Sequence, residues 1–256
     1  MNKNKKGYII AAAMILTVLL LMLLDNTVFR DEDSENRGGF FEELFFSEKE
    51  TEKDYSEELS ALAERNPEAA EFAANYPLYK DGVGEYTMSD FGDLSVIPHF
   101  MQWDTRWGYE EYAGSLMGLS GCGPVCLSMV AVHLLGDTGL DPLYIARFSE
   151  ENGYAEKNNG TKWTLMSEGA KELGLVSREL PLHKQTMINE LDSGKPIICI
   201  MGAGDFTSSG HFIVITDYSD EGFSVLDPNS KNRSSQKWTY ERIESQIRNL
   251  WSFSKA

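Results

Sequence analysis

The sequence predicts an α+β fold in which one apolar helix packs on an antiparallel sheet. Three observations indicate this. Most helical patterns occur before residue 174, most strand-like runs come after it, and the run from Gly123 to about Leu135 is apolar on nearly all sides. With 256 residues and 42% hydrophobic composition, the chain can bury one sizeable core and carry an appendage.

The N-terminal segment is typical of a membrane anchor. Seventeen residues from Tyr8 to Leu24 carry no charge; lysines precede them and Asp25 follows at once. At about 1.5 Å per residue they span roughly 25 Å, somewhat short of a hydrocarbon core of about 30 Å. We predict an uncleaved single-pass anchor at residues 1–24, with the rest of the chain outside the cell. The alternative is a cleaved signal peptide and secretion, although no Ala-x-Ala-like site follows the segment.

The charge beyond the anchor is strongly acidic. Three of the 23 basic residues and none of the 40 acidic residues precede Asp25, which leaves 20 basic against 40 acidic residues and a net charge of −20. Such a charge repels nucleic acid and anionic surfaces, so we predict no nucleic-acid partner. Simple solubility explains the charge equally well.

Residues 25–85 are predicted to form an acidic stalk followed by short helices. Thirteen acidic and four basic residues lie between Asp25 and Ser60. From Tyr55 to Asn75, spaced apolar residues indicate helix, and Pro67 divides it into two pieces. We therefore expect a helical hairpin here and a main domain over residues 86–256.

The main domain should begin with a loop that continues to Gly121. Capping residues, together with Gly and Pro at the boundaries, then predict helices at 123–135, 142–152, 164–173, 185–192 and 240–247. Runs of apolar residues predict strands at 176–180, 196–201, 211–218, 223–227 and 250–253. The short turn from Ser219 to Gly222 makes the third and fourth strands antiparallel neighbours.

Cys122 is the candidate nucleophile. It stands where a loop enters the apolar helix, and a thiolate at a helix start faces unpaired N–H groups and the positive end of the dipole. Gly121, Gly123 and Pro124 make an open approach that a packing cysteine does not need, although a core cysteine is the alternative. Cys126 and Cys199 lie in apolar runs and are expected to be structural free thiols.

Four histidines compete for the role of general base. His133 lies eleven residues further along the helix, roughly 16 Å from the thiol, and cannot reach it. His99 and His183 lack the rigid setting that a base needs. His211 follows a loop predicted to be flexible, Gly202–Gly210, and opens an apolar strand. His211 is therefore the candidate base, with a buried structural histidine as the alternative.

Asp227 is the candidate partner that fixes the imidazole tautomer. It ends the strand next to that of His211, whereas Asp217 lies about 20 Å along the same strand. A plain strand-end turn is the alternative for Asp227. The order Cys, His, Asp is typical of a papain-like cysteine hydrolase. An oxyanion donor is also required; Gln102 is a candidate, but no periodicity identifies it.

Four segments carry a resemblance to a known family: Gln102–Gly108, Met117–Pro124, Gly210–Val214 and Asp227–Ser230. They closely resemble the C39-like peptidases, bacterial proteins of the papain fold, over roughly residues 71–253. The resemblance implies a papain-like fold in which a central helix packs on the sheet. It also implies that Cys122 is the nucleophile, His211 the base, Asp227 its orienting partner and Gln102 the oxyanion residue.

These observations predict a membrane-anchored, extracytoplasmic cysteine peptidase. Its partners would be a peptide or protein substrate and the membrane, and we expect a monomer. No His-Glu-x-x-His motif or phosphate-binding loop occurs, so neither a metal nor a cofactor is predicted. A cell-wall peptide amidase, an acyl transferase of transglutaminase type and a catalytically silent binding module remain alternatives. Trp103, Trp107 and Trp163 are expected in the core rather than along the cleft.

Overall fold

A six-stranded antiparallel sheet and one long buried helix organise the main domain. The computed structural model describes residues 54–80, 86 and 93–256. The predicted anchor at 1–24 and most of the predicted stalk lie outside the described residues. None of the helices in the described part is long and apolar enough to cross a membrane.

The described segments contain the following elements. The helices are α1 (Ser56–Arg65), α2 (Ala70–Tyr79), α3 (Met117–Ser120), α4 (Cys122–Leu135), α5 (Pro142–Glu151), α6 (Ala170–Glu172), α7 (Lys184–Asp192), α8 (Lys231–Ser234) and α9 (Tyr240–Ile243). The strands are β1 (Glu111–Tyr112), β2 (Ser115–Leu116), β3 (Ala155–Glu156), β4 (Gly160–Thr161), β5 (Leu175–Glu179), β6 (Ile197–Met201), β7 (His211–Ser219), β8 (Gly222–Leu226), β9 (Lys237–Trp238) and β10 (Ile247–Lys255). Single 3₁₀ turns at Pro67–Ala69 and Glu244–Gln246 and a π-helical turn at Leu165–Gly169 complete them.

The strand order in the main sheet is β5-β10-β6-β7-β8-β9. Every neighbouring pair is antiparallel, as the α+β prediction requires. On β7, His211 lies opposite Met201 of β6, while Val214 lies opposite Leu226 of β8. The start of β7 and the end of β8 therefore meet at the same edge of the sheet.

The two faces of the sheet pack against different helices because strand side chains alternate. One face, with Ile198, Phe212 and Trp251, joins α4 in the largest core cluster. The other face, with Cys199 and Ile213, packs against α7 and α9. Side chains from Val125 to Val132 are completely or almost completely buried, which explains why α4 has no polar face.

Helix α4 ends at a glycine. Gly136 adopts a left-handed conformation with φ of 68°, and its N–H bonds the Val132 carbonyl. Asp141 caps α5 by accepting a hydrogen bond from the Tyr144 N–H at 2.8 Å. Both helix boundaries thus follow from local sequence.

The predicted helical hairpin is confirmed in α1 and α2. Pro67 opens the 3₁₀ turn that separates them. Phe72 of α2 stacks on Tyr109 of the main domain with ring centroids 4.3 Å apart, and the Tyr109 hydroxyl donates to the Phe72 carbonyl at 2.8 Å. The hairpin is therefore packed onto the main domain.

Several short elements of the structure differ from the sequence prediction. The segment before Gly121, expected to be a loop, contains the hairpin β1–β2 and helix α3, whose elements are only two to four residues long. The helix predicted at 164–173 is a π-helical turn followed by the three-residue helix α6. The predicted strands all occur, and the last extends to Ile247–Lys255.

Candidate active site

Cys122 is the first residue of α4, at the position where helix N–H groups lack intrahelical acceptors. Its side chain is partly exposed, whereas Cys126 and Cys199 are fully buried. Gly123 beside it contacts Thr161 of β4 closely: a Cβ added at Gly123 would lie 2.4 Å from the Thr161 Oγ1. Glycine is therefore needed next to the thiol because β4 packs directly on the start of the helix.

His211 opens β7 and links two of the predicted site residues. Its Nε2 lies 2.7 Å from Oδ1 of Asp227, and its ring lies close enough to the Cys122 thiol to lower the pKa of that thiol. Because Nε2 faces the carboxylate, Nδ1 is the ring nitrogen left for the thiol. The structure thus brings Cys122, His211 and Asp227 together in one site.

Asp227 follows β8 and is completely buried. Its Oδ1 also accepts from the Asn229 N–H at 2.8 Å, and its Oδ2 pairs with Nε of Arg233 at 2.5 Å. Its own N–H donates to the Ser234 hydroxyl at 2.9 Å. A buried carboxylate with a cation and several donors stays ionised.

The ionisation states of the three groups reinforce one another. Burial alone would raise the pKa of Cys122, but the hydrogen bond and charge of His211 hold it below its usual value. Burial would likewise lower the pKa of His211, but the charge and hydrogen bond of Asp227, aided by Cys122, raise it to about 10. Burial would raise the pKa of Asp227, yet His211 and Arg233 lower it to about 2. Together these shifts favour a thiolate and an imidazolium at neutral pH.

The other two cysteines lack such partners. Burial raises the pKa of Cys126 well above its ordinary value, and burial does the same for Cys199. Both side chains pack in apolar clusters. They are structural thiols, as predicted.

Gln102 lies on the segment before β1 and is almost completely buried. Its Nε2 donates to the Gly118 carbonyl at 2.8 Å, and its N–H donates to the Pro228 carbonyl at 2.7 Å. The Gly118 carbonyl accepts one of the two Nε2 hydrogens and thereby fixes the orientation of the amide. The second Nε2 hydrogen takes no part in this bond. Oε1 makes no hydrogen bond with any described residue. Gln102 is therefore tied to helix α3, which precedes Cys122, and to the turn that follows Asp227.

The loop before His211, Gly202–Gly210, which was predicted to be flexible, makes tertiary contacts through Asp205 and Phe206. Asp205 pairs with Arg242, its Oδ1 lying 2.9 Å from a guanidinium nitrogen, and its N–H donates to Gln246 Oε1 at 2.7 Å. Phe206 is buried and packs on Trp238 with ring centroids 4.5 Å apart. Tertiary contacts from the segment before β10 therefore hold the loop and the start of β7.

His99 is held more firmly than predicted. Its Nε2 lies 2.8 Å from the Asp227 carbonyl oxygen, and burial lowers its pKa despite that contact. It supports the backbone of the Asp227 turn rather than facing the thiol. His133, in the last turn of α4, contacts the Leu94 carbonyl with Nδ1, and His183 precedes α7.

The three tryptophans differ in environment. Trp107 is fully buried and Trp103 partly so, with the Trp103 indole donating to the Asn229 carbonyl at 3.2 Å. Trp163 is 47% exposed, which contradicts its predicted place in the core. Its ring meets Trp251 at an edge, so only part of it packs.

Arg233 was missed by the sequence analysis. It lies six residues after Asp227 on the one-turn helix α8, and only the folded turn brings its guanidinium to the carboxylate. A basic residue after a strand end has no pattern that signals this role. For metals, residues 54–80, 86 and 93–256 hold no group of three or more His, Cys, Asp or Glu side chains suited to an ion.

The chain is similar to proteins of one known family. The model of the Peptidase_C39 like family matches residues 95–255. Similar solved structures include the peptidase domain of Streptococcus ComA, a bifunctional ABC transporter involved in a quorum-sensing pathway. It is 24% identical, with a TM-score of 0.43, and the match covers 54% of this chain and 93% of that one. A structure described as a C39-like peptidase from Bacillus anthracis is 16% identical, with a TM-score of 0.45 and coverage of 64% and 96%. No curated protein matches the chain.

Proposed function

The chain belongs to the Peptidase_C39 like family, and from that premise we propose that it is a cysteine peptidase with Cys122 as its nucleophile. The observation that carries the proposal is the placement of the Cys122 thiol, at the start of α4, beside the imidazole of His211, which Asp227 holds through a 2.7 Å hydrogen bond. A thiol at a helix start, paired with an imidazole that a buried carboxylate orients, is the arrangement that nucleophilic catalysis requires.

The first half of the proposed reaction forms an acyl-enzyme. The Cys122 thiolate attacks the carbonyl carbon of the peptide bond, and the electron pair of the C=O bond moves to oxygen. The oxyanion would be held by the Cys122 N–H and by the second Nε2 hydrogen of Gln102. As the tetrahedral intermediate collapses, the C–N bond breaks and the His211 imidazolium gives its proton to the leaving amine.

The second half hydrolyses the thioester. Neutral His211 takes a proton from water, and the resulting hydroxide attacks the thioester carbonyl carbon. The C–S bond then breaks, which releases the carboxylic acid and restores the thiolate and imidazolium. Asp227 stays ionised throughout and keeps Nε2 protonated, so that Nδ1 faces the reacting atoms.

We also propose a location and partners for the enzyme. The uncharged run Tyr8–Leu24 and the lysines before it favour a single-pass anchor, with the peptidase domain outside the cell. The partners would be the membrane and a peptide or protein substrate, without nucleic acid, and the chain would act as a monomer. The net negative charge beyond the anchor supports a domain that stands off from anionic surfaces.

A peptide-library digestion tests the proposal. Full-length protein and its Cys122→Ala variant are each incubated with a peptide library and with cell-wall peptides, and products are identified by mass spectrometry. The proposal predicts new peptide termini with the wild type and none with the variant. Products from cell-wall peptides alone would favour the amidase alternative. No products from either substrate, with a folded protein, would favour the silent binding module.

A further inference from the structure

The turn between α1 and α2 holds the short helix that follows Asp227. The carboxylate of Glu68 accepts the Ser230 hydroxyl at 2.5 Å and the Lys231 N–H at 2.8 Å, with the Asn232 N–H 3.3 Å away. These donors begin α8. Glu68 therefore supplies the acceptors that the start of this helix needs.

Helix α8 in turn holds the buried carboxylate. Arg233 pairs with Oδ2 of Asp227, and the Ser234 hydroxyl accepts from the Asp227 N–H at 2.9 Å. The Ser230 hydroxyl that donates to Glu68 also accepts from the Arg233 N–H at 3.1 Å. Because a single helical turn is marginal on its own, these outside bonds decide where the Arg233 side chain lies.

The rest of the hairpin fixes Glu68 against the domain. Asn66, one residue before the turn, donates from Nδ2 to the Asn229 carbonyl at 2.6 Å. Phe72 packs on Gly118, where an added Cβ would lie 2.5 Å from its ring, and the Gly118 carbonyl accepts from Gln102. The hairpin thus contacts both the segment that carries Asp227 and the backbone that holds Gln102.

We infer that Glu68 is a positioning residue of the active site, which fixes α8 and Arg233 and thereby the orientation of Asp227 towards His211. The inference rests on the proposed function, because it gives the hairpin a role in the same site. Glu68 lies outside residues 95–255, the part of the chain that the family model matches. A domain trimmed to that match would lose this support.

The ionisable groups around the site define the measurement. Among the described residues, two ionisable groups face the His211 ring, namely Cys122 at the start of α4 and Asp227 at the end of β8. Arg233 contacts the carboxylate of Asp227, and His99 contacts the backbone carbonyl oxygen of Asp227. If Asp227 moves away from the imidazole, the imidazolium is less favoured and less thiolate forms at neutral pH. The rate of Cys122 alkylation at pH 7 relative to pH 10 reports that fraction.

Glu68→Gln tests the inference in the full-length protein, with iodoacetamide as the probe and mass spectrometry to resolve each cysteine. We expect the pH 7 rate at Cys122 to fall about threefold to tenfold relative to pH 10, because a charge-assisted acceptor is weakened. Glu71→Gln is the matched control: it removes the same charge from an exposed site on α2 and should leave the profile unchanged.

General destabilisation gives a different result. Partial unfolding would increase alkylation of the buried Cys126 and Cys199, whereas a local loss of the Glu68 contacts should leave both unlabelled. A Cys122 profile in Glu68→Gln identical to that of wild type would overturn the inference, while the proposed function would stand if wild-type Cys122 still ionises at low pH. An ordinary thiol profile in the wild type would instead overturn the proposed function.

A double-mutant cycle tests whether Glu68 acts through Arg233. In an Arg233→Ala background, Glu68→Gln should produce little further change, because its effect passes through that guanidinium. Equal effects of Glu68→Gln in both backgrounds would overturn the route through α8. If Arg233→Ala does not fold, Arg233→Lys serves in its place, since it keeps the charge and loses the fixed guanidinium geometry.

Discussion

Replacing Asp227 with Ala should convert Cys122 into an ordinary, un-ionised thiol. The carboxylate is completely buried, and its charge is the main reason that the pKa of His211 rises from 6.5 to about 10. That rise corresponds to roughly 5 kcal/mol of preference for the imidazolium. Without the carboxylate, burial remains and lowers the pKa of His211, so most of the ring is neutral at pH 7.

The consequence for Cys122 can be worked out. A thiol without an imidazolium neighbour has a pKa of about 8.5 or higher when buried, so at pH 7 no more than about 3% is thiolate. If the wild-type thiol is mostly ionised, the alkylation rate at pH 7 should fall about thirtyfold or more in Asp227→Ala. In Asp227→Asn the alkylation rate at pH 7 should fall less, because the amide oxygen still accepts a hydrogen bond from the Nε2 proton of His211 but supplies no charge.

The assay is iodoacetamide labelling of full-length protein between pH 4 and 9. Removing Asp227 leaves Arg233 without its partner and should lower the free energy of unfolding by about 3 kcal/mol, so thermal unfolding must first show a folded variant. Asp217 is exposed and lies on β7, the strand of His211, so Asp217→Ala serves as the control. A folded Asp227→Ala protein with the wild-type labelling profile would refute the reasoning.

Three further predictions concern stability, packing and the oxyanion. The buried His211–Asp227 pair should stabilise the fold fully between pH 3.8 and 6.5, and its contribution should be lost as pH rises towards about 10 or falls towards about 2. Denaturant unfolding that shows no such loss of stability would contradict this. Gly123→Ala should lower the free energy of unfolding by about 1–3 kcal/mol through its clash with Thr161, and Thr161→Gly should restore part of it in thermal melts. Gln102→Ala should reduce kcat about 100-fold or more while leaving the Cys122 alkylation profile intact; a loss of both would show that Gln102 acts on the thiol instead.

The sequence predicted those parts of the fold in which local pattern decides the structure. The apolar runs of α4, β6 and β7 each bury enough surface to fix their conformation. The resemblance to C39-like peptidases, which depended on short motifs around Cys122 and His211, is confirmed by the family match. The catalytic roles of those residues remain predictions.

Long-range contacts account for what the sequence did not predict. Glycine and serine in residues 202–210 indicate a flexible loop, yet Asp205 is held by Arg242 and Gln246, which lie about forty residues further along the chain. Glu68 and Arg233 are ordinary charged residues in local sequence. Only the tertiary structure brings Glu68 to the short helix α8 that carries Arg233. No periodicity carries such information.

Very short elements were also beyond prediction. Strands β1 to β4 contain two residues each, too few to show alternation. Their packing nevertheless shapes the site, because Thr161 of β4 lies against Gly123 and Tyr112 of β1 bonds the Thr161 hydroxyl at 2.8 Å. The glycine beside Cys122 was recognised, but not the strand that requires it.

The most direct test of the account is the pH dependence of Cys122 alkylation in wild type and His211→Ala. The account predicts that wild-type Cys122 reacts with an apparent pKa well below about 8.5, and that His211→Ala shifts this pKa upward while Cys126 and Cys199 stay unlabelled. An ordinary thiol profile in the wild type, unchanged by His211→Ala, would contradict the thiolate–imidazolium pair and leave a catalytically silent binding module as the better description.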